Sequence, residues 1–72
     1  MSQDFRVKFV TQDGSIIMDR KGQADFYFLP NGNPDKTFVD SILKTDAREK
    51  GVRVTSYQLN NQTGLIAVVD WL

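Results

Sequence analysis

The stretch that decides the fold is residues 33–51, NPDKTFVDSILKTDAREKG, which predicts one amphipathic helix. Asn33 is the predicted N-cap, Pro34 takes the first helical position, and Gly51 is the predicted stop. A second capping pattern begins at Thr45, so a helix broken near that residue is left open. The apolar residues that recur at spacings of three and four, and so form one stripe, are Phe38, Val39, Ile42, Leu43 and Ala47.

Short strands are predicted on both sides of this helix, three before it and two after it. Residues 5–9 alternate apolar and basic side chains, and Asp13-Gly14 predicts a hairpin turn into the second strand. In the fourth strand the alternation changes phase, which predicts a bulge near Thr55 and Ser56. The predicted strands are residues 5–9, 16–18, 26–29, 52–59 and 65–69.

The pattern of elements predicts a single small α+β domain over residues 1–72. Its architecture is β-β-β-α-β-β, a five-stranded antiparallel sheet in the order 3-2-1-5-4 with one helix on one face. The fifth strand lies in the interior of this sheet because its sequence is apolar on both sides. A small, partly open barrel with one helix, SH3-like or OB-like, is the alternative fold.

One helix covers only one face of the predicted sheet. The function therefore depends on what covers the other face. That face can be buried by curling of the sheet, by a second copy of the chain, or by a partner. Trp71, next to the C-terminus, is interpreted either as a core residue or as an interface anchor. The predicted partner-binding residues are Arg6, Lys8, Tyr27, Arg53, Tyr57 and Trp71.

The composition argues against most catalytic and metal chemistry. The 72 residues contain neither Cys nor His, which excludes disulfides and every site built on thiolate or imidazole. Ser41 and Lys44 have the spacing of a serine acyl-enzyme motif, but they fall on the predicted helix without its companion motifs. We therefore predict no enzymatic activity, no catalytic residues, no cofactor and no metal.

The charge balance limits the kinds of partner. Nine basic and nine acidic residues give a net charge of zero, which removes the global attraction that nonspecific binders of nucleic acid or membranes use. Neither a secretion signal nor a long apolar run is present, so a cytoplasmic location is predicted. The sequence favours a protein-binding module, a small regulator or inhibitor that occupies a surface, as a monomer or a homodimer. The alternative is a single-stranded nucleic-acid binder that uses the basic and aromatic sheet face.

Overall fold

The computed structural model describes residues 5–72, which form one four-stranded mixed sheet with one main helix packed on it. The strands lie in the order β2-β1-β4-β3. The two outer pairs are antiparallel, and the central strands β1 and β4 are parallel. The elements are β1 (Phe5–Thr11), β2 (Ile16–Gly22), α1 (Ala24–Tyr27), α2 (Lys36–Lys50), β3 (Val52–Asn60) and β4 (Gly64–Trp71).

The prediction of five antiparallel strands in the order 3-2-1-5-4 is wrong. The segment expected to be the third strand contains the single helical turn α1 instead, and only an isolated bridge joins Phe28 to Pro34. The aromatic side chains explain the difference, because Tyr27 packs between Phe5 and Phe38 at centroid distances of 4.8 and 5.0 Å. Without that strand, each later strand runs opposite to its predicted direction. As a result, β4 lies parallel to β1 rather than antiparallel to it.

The barrel alternative is also wrong, because the sheet remains open. A closed or nearly closed barrel would join the outer strands, whereas β2 and β3 lie at opposite edges and each pairs with one neighbour. The chain after β2 does not supply a closing strand. It passes through α1 and a turn into α2, which lies against one face of the sheet.

The helix α2 is continuous through Thr45, so the break that the sequence left open does not occur. Its N-cap is Asp35 rather than Asn33, because the Asp35 side chain accepts a 3.1 Å hydrogen bond from the backbone N–H of Phe38. The predicted stop at Gly51 is confirmed. That residue has a left-handed φ of 72°, and its N–H donates to carbonyl oxygens of the last helical turn.

The hydrophobic core lies between α2 and one face of the sheet. Alternation along β1 buries Phe5, Val7 and Phe9 on this face, and the same alternation along β4 buries Leu65, Ala67 and Val69. The helix contributes the inner part of its apolar stripe. The other buried hydrophobic residues are Tyr27, Val39, Leu43, Ala47 and Val52.

The start of β4 comes unusually close to β1. Gly64 pairs with Arg6 and has a φ of 129°, which disfavours any residue with a side chain. A Cβ at this position would lie 1.9 Å from the Arg6 carbonyl oxygen. The absence of a side chain therefore allows the hairpin after β3 to place β4 directly beside β1.

Candidate functional site

The face of the sheet opposite α2, here called the open face, carries an exposed apolar band. The strand register aligns Ile16 with Val10 and Val10 with Val68, so the band crosses three strands. Ile66 extends it along β4. Ile16 is 57% exposed and Ile66 is 39% exposed, while Val10 and Val68 are half-buried. No element within residues 5–72 packs over these side chains as α2 packs over the core.

Charged side chains surround the apolar band. Arg6 aligns with Lys21 toward one end of the open face, and Lys8 stands between Asp19 and Ile66. At the other end Arg53 aligns with Asp70 across β3 and β4. The register places six charged residues on this face, four of them basic: Arg6, Lys8, Lys21, Arg53, Asp19 and Asp70.

Ion pairs orient part of this rim. The Arg6 Nε donates to Asp19 Oδ1 at 2.7 Å, and both side chains remain about one third exposed. Arg53 lies 3.8 Å from Asp70, whose other carboxylate oxygen accepts a 3.4 Å hydrogen bond from Gln12. Exposed pairs of this kind contribute little stability, so the rim is better suited to orienting a partner than to holding the fold.

The structure divides the predicted partner-binding residues between three locations. Arg6, Lys8 and Arg53 share the open face, as expected for them. Tyr27 was expected on that face but is 2% exposed, because it lies in α1 and packs in the core. The aromatic contacts of that short helix, rather than a third strand, determine its position.

Tyr57 and Trp71 also lie away from the open face. Tyr57 aligns with the buried Ala67, so it belongs to the helix side of β3, where it is 38% exposed. Trp71 aligns with the buried Val52 at the end of the sheet, yet it is 64% exposed. The bulge at Thr55 explains why Tyr57 shares a side with Val54 despite their odd spacing.

A groove runs along the outer side of β3, between that strand and α2. Its volume is about 570 Å³, and Leu43, Val54 and Tyr57 form its apolar part. Asp40 and Lys44 lie on the helical wall, and both are exposed. The bulge in β3 contributes to the groove, because the strand residues around Thr55 line it.

A smaller depression of about 390 Å³ lies at the end of the sheet, beside Trp71 and Ile17. The turn between β1 and β2 forms its rim. A hydrogen bond from the Thr11 hydroxyl, together with the backbone N–H of Ser15, holds the pKa of Asp13 below its ordinary value. The carboxylate therefore stabilises this turn locally.

Sequence reasoning missed several features of both faces. It did not place Val10 on the open face, because the predicted first strand ends at Phe9, whereas β1 continues in regular alternation to Thr11. It also missed the ion pair between Asp46 of α2 and Arg20 of β2, which lie 2.8 Å apart. That hydrogen bond raises the pKa of Arg20. Ile66 and Val68 could have been assigned to the open face from the sequence, because they alternate with Leu65 and Ala67 of the core.

Within residues 5–72 the structure contains no group of three or more acidic side chains placed to hold a metal ion. In that same part of the chain, no helix is long and apolar enough to cross a membrane. Comparison with known proteins gives no match to a family model, to a curated protein or to a solved structure.

Proposed function

We propose that this protein is a non-enzymatic binding module that holds a partner protein on the open face of its sheet. In this role it acts as a small cytoplasmic regulator or inhibitor by occupying a surface of its partner. Occupation of a surface needs neither a nucleophile nor a metal ion. The proposal rests on one observation. Val10, Ile16, Ile66 and Val68 form an apolar band on a face that α2 leaves uncovered.

The size of the face supports this role. The two longer dimensions of the molecule, 35 and 26 Å, limit the face to roughly 900 Å². A partner in a standard stable interface contributes about 800 Å² of its surface. Most of the open face would therefore be covered in such a complex, with the apolar band at its centre and the charges at its rim.

The charges of the open face indicate the chemistry of the partner. Four basic and two acidic side chains leave this face with an excess of positive charge. We infer a partner whose surface has an apolar centre and an acidic rim, because such a surface is complementary in both respects. A second copy packed face to face would bring together two faces that each have an excess of positive charge, which disfavours a homodimer through this face.

The positions of the tyrosines favour a protein partner over single-stranded nucleic acid. Binding of single strands relies on exposed aromatic rings on which bases stack. Tyr27 is buried and Tyr57 lies on the helix side of β3, so neither ring is available beside Arg6 and Lys8. Cations alone would leave a nucleic-acid complex without its stacking contacts.

The central experiment compares two double variants that add the same charge. Ile66→Asp with Val68→Asp places two carboxylates in the apolar band, and the control Ser41→Asp with Thr45→Asp places them on exposed positions of α2. Circular dichroism first establishes that both variants are folded. Each protein is then used to capture partners from the cells of origin, and the captured protein is purified and titrated by calorimetry.

We expect the open-face variant to bind the purified partner at least about tenfold more weakly, while the control binds like the wild type. Equal affinity of all three proteins would contradict the proposal, as would failure of the wild type to retain any partner. Titration of a single-stranded oligonucleotide at several salt concentrations forms a second arm. Micromolar binding that falls steeply with salt would replace the protein partner by nucleic acid.

A further inference from the structure

The two edges of the sheet differ in how they are protected against pairing with another strand. At one edge, β2 carries three consecutive charged residues, Asp19, Arg20 and Lys21. At the other, β3 spans nine residues, and Arg53 is its one charged residue. Charged side chains and bulges both protect edge strands. Both pairs of strands contain a bulge, so the difference in charge leaves β3 as the less protected edge.

The helix side of the β3 edge has a surface that a strand could cover. Val54, Tyr57 and Leu59 lie on this side, since they align with the buried Val69, Ala67 and Leu65 of β4. Tyr57 remains 38% exposed beside the groove under α2. A strand added next to β3 would project alternate side chains over this groove.

We propose that the occupant is a second copy of this chain, which pairs its own β3 antiparallel to the first. The two sheets then join into one continuous eight-stranded sheet. A two-fold axis near Tyr57 brings the two Tyr57 rings together and places Val54 of each copy near Leu59 of the other. The apolar stripe is thus self-complementary, as a two-fold interface requires, and it brings no like charges directly opposite each other.

The charges on α2 are complementary under the same symmetry. Asp40 and Lys44 lie on the flank of α2 that borders the β3 groove. Among the described residues neither forms an ion pair, although they stand four apart on the helix. The two-fold axis makes the two copies of α2 antiparallel, so Asp40 of one copy faces Lys44 of the other in both directions.

This dimer leaves the open face uncovered. The axis is perpendicular to the sheet, so both open faces point to the same side of the dimer. A partner with two binding patches would then gain avidity from simultaneous contact with both faces. Dimerisation and the proposed partner binding use different residues, so either can fail without the other.

Sedimentation equilibrium of the wild type and of two lysine variants tests the interface. We expect a wild-type dimer in the micromolar range, and a dimer weakened at least about tenfold by Tyr57→Lys, which buries a charge at the axis. The control Ile66→Lys adds the same charge to the open face and should leave the dimer unchanged. Thermal melts establish that both variants are folded.

A charge exchange then distinguishes this geometry from other dimers. Asp40→Lys should weaken association about tenfold, because lysine then faces lysine at both symmetry-related contacts between the two helices. Adding Lys44→Asp should restore association. A wild type that stays monomeric at high micromolar concentration would overturn the proposal. So would a dimer that Ile66→Lys breaks and Tyr57→Lys spares, and so would a double exchange that fails to rescue association.

Discussion

The two faces of this sheet are built from the same strands, yet they differ in how far their apolar side chains are buried. Phe9 points toward α2 and has no exposed surface, whereas its neighbour Val10 points to the open face and is only half-buried. Along β4, Leu65 has no exposed surface and Ile66 is 39% exposed. The difference arises because α2 covers only one side of the sheet. Of two adjacent apolar residues in a strand, one therefore packs in the core and the other contacts water.

Alternation along the strands separates the residues that stabilise the fold from those proposed to bind a partner. Residues on the covered face lose water when the chain folds, and their apolar area contributes to the free energy of unfolding. Apolar residues on the open face keep part of their area in water, where the proposed partner could bury it. Substitutions one position apart should therefore affect different measurements.

The strongest test of the comparison is Phe9→Ala against Val10→Ala. We expect Phe9→Ala to lower the free energy of unfolding by about 3 to 5 kcal/mol, because it removes a large buried side chain and leaves a cavity. A single small core supplies a net stability of similar size, so the variant should be largely unfolded. Val10→Ala should cost about 1 kcal/mol or less, as measured by urea denaturation. Equal costs would mean that the open face is covered in solution.

A second test concerns the backbone contact on which both faces depend. Gly64→Ala should cost about 3 kcal/mol, because the added Cβ meets the Arg6 carbonyl and the positive φ is strained. Gly14→Ala is the matched control. It has a comparable φ of 90° with no atom within 4 Å of the added Cβ, so only the backbone strain of about 1 kcal/mol applies.

Thermal and urea unfolding of the two glycine variants measure this difference. Hydrogen exchange should also show that Gly64→Ala loosens β1 and β4 together, since these strands pair directly. If the two variants are equally stable, the close approach of β4 to β1 does not limit the fold, and the parallel pairing loses its support.

The smallest expected effect compares an ion pair on each side of the sheet. Arg20 and Asp46 join β2 to α2 on the covered side, where the Arg20 side chain is 41% exposed and that of Asp46 only 13%. Arg6 and Asp19 form their pair on the open face, with 38% and 35% exposure. Double-mutant cycles should give a coupling energy of about 1 kcal/mol for the first pair and about 0.3 kcal/mol for the second.

High salt should increase the difference in coupling energy between the two ion pairs. One molar salt should remove most of the coupling between Arg6 and Asp19, because both charges are screened by solvent. The pair that joins β2 to α2 should retain more of its coupling. A larger coupling on the open face would contradict the division of the sheet into a stabilising face and a binding face.

Much of the local structure could be predicted because its signals lie close together in the chain. The Asp13-Gly14 turn, the stop at Gly51 and the bulge near Thr55 depend on a few adjacent residues, and the structure confirms each of them. The helical stripe of apolar residues likewise follows from its spacing alone. Three of the six predicted partner-binding residues also share the open face, because alternation along a strand is a local property.

The sequence alone determined the approximate positions of four of the five predicted strands, the residue at which the main helix ends, and which chemistry is impossible without Cys and His. The tertiary structure decided what each apolar segment packs against. Residues 26–29 are as apolar as a strand, but contacts with Phe5 and Phe38 bury Tyr27 in the core, while Phe26 remains 58% exposed. That choice depends on residues far apart in the chain, and by removing one strand it sets the direction of β4 and the composition of the open face.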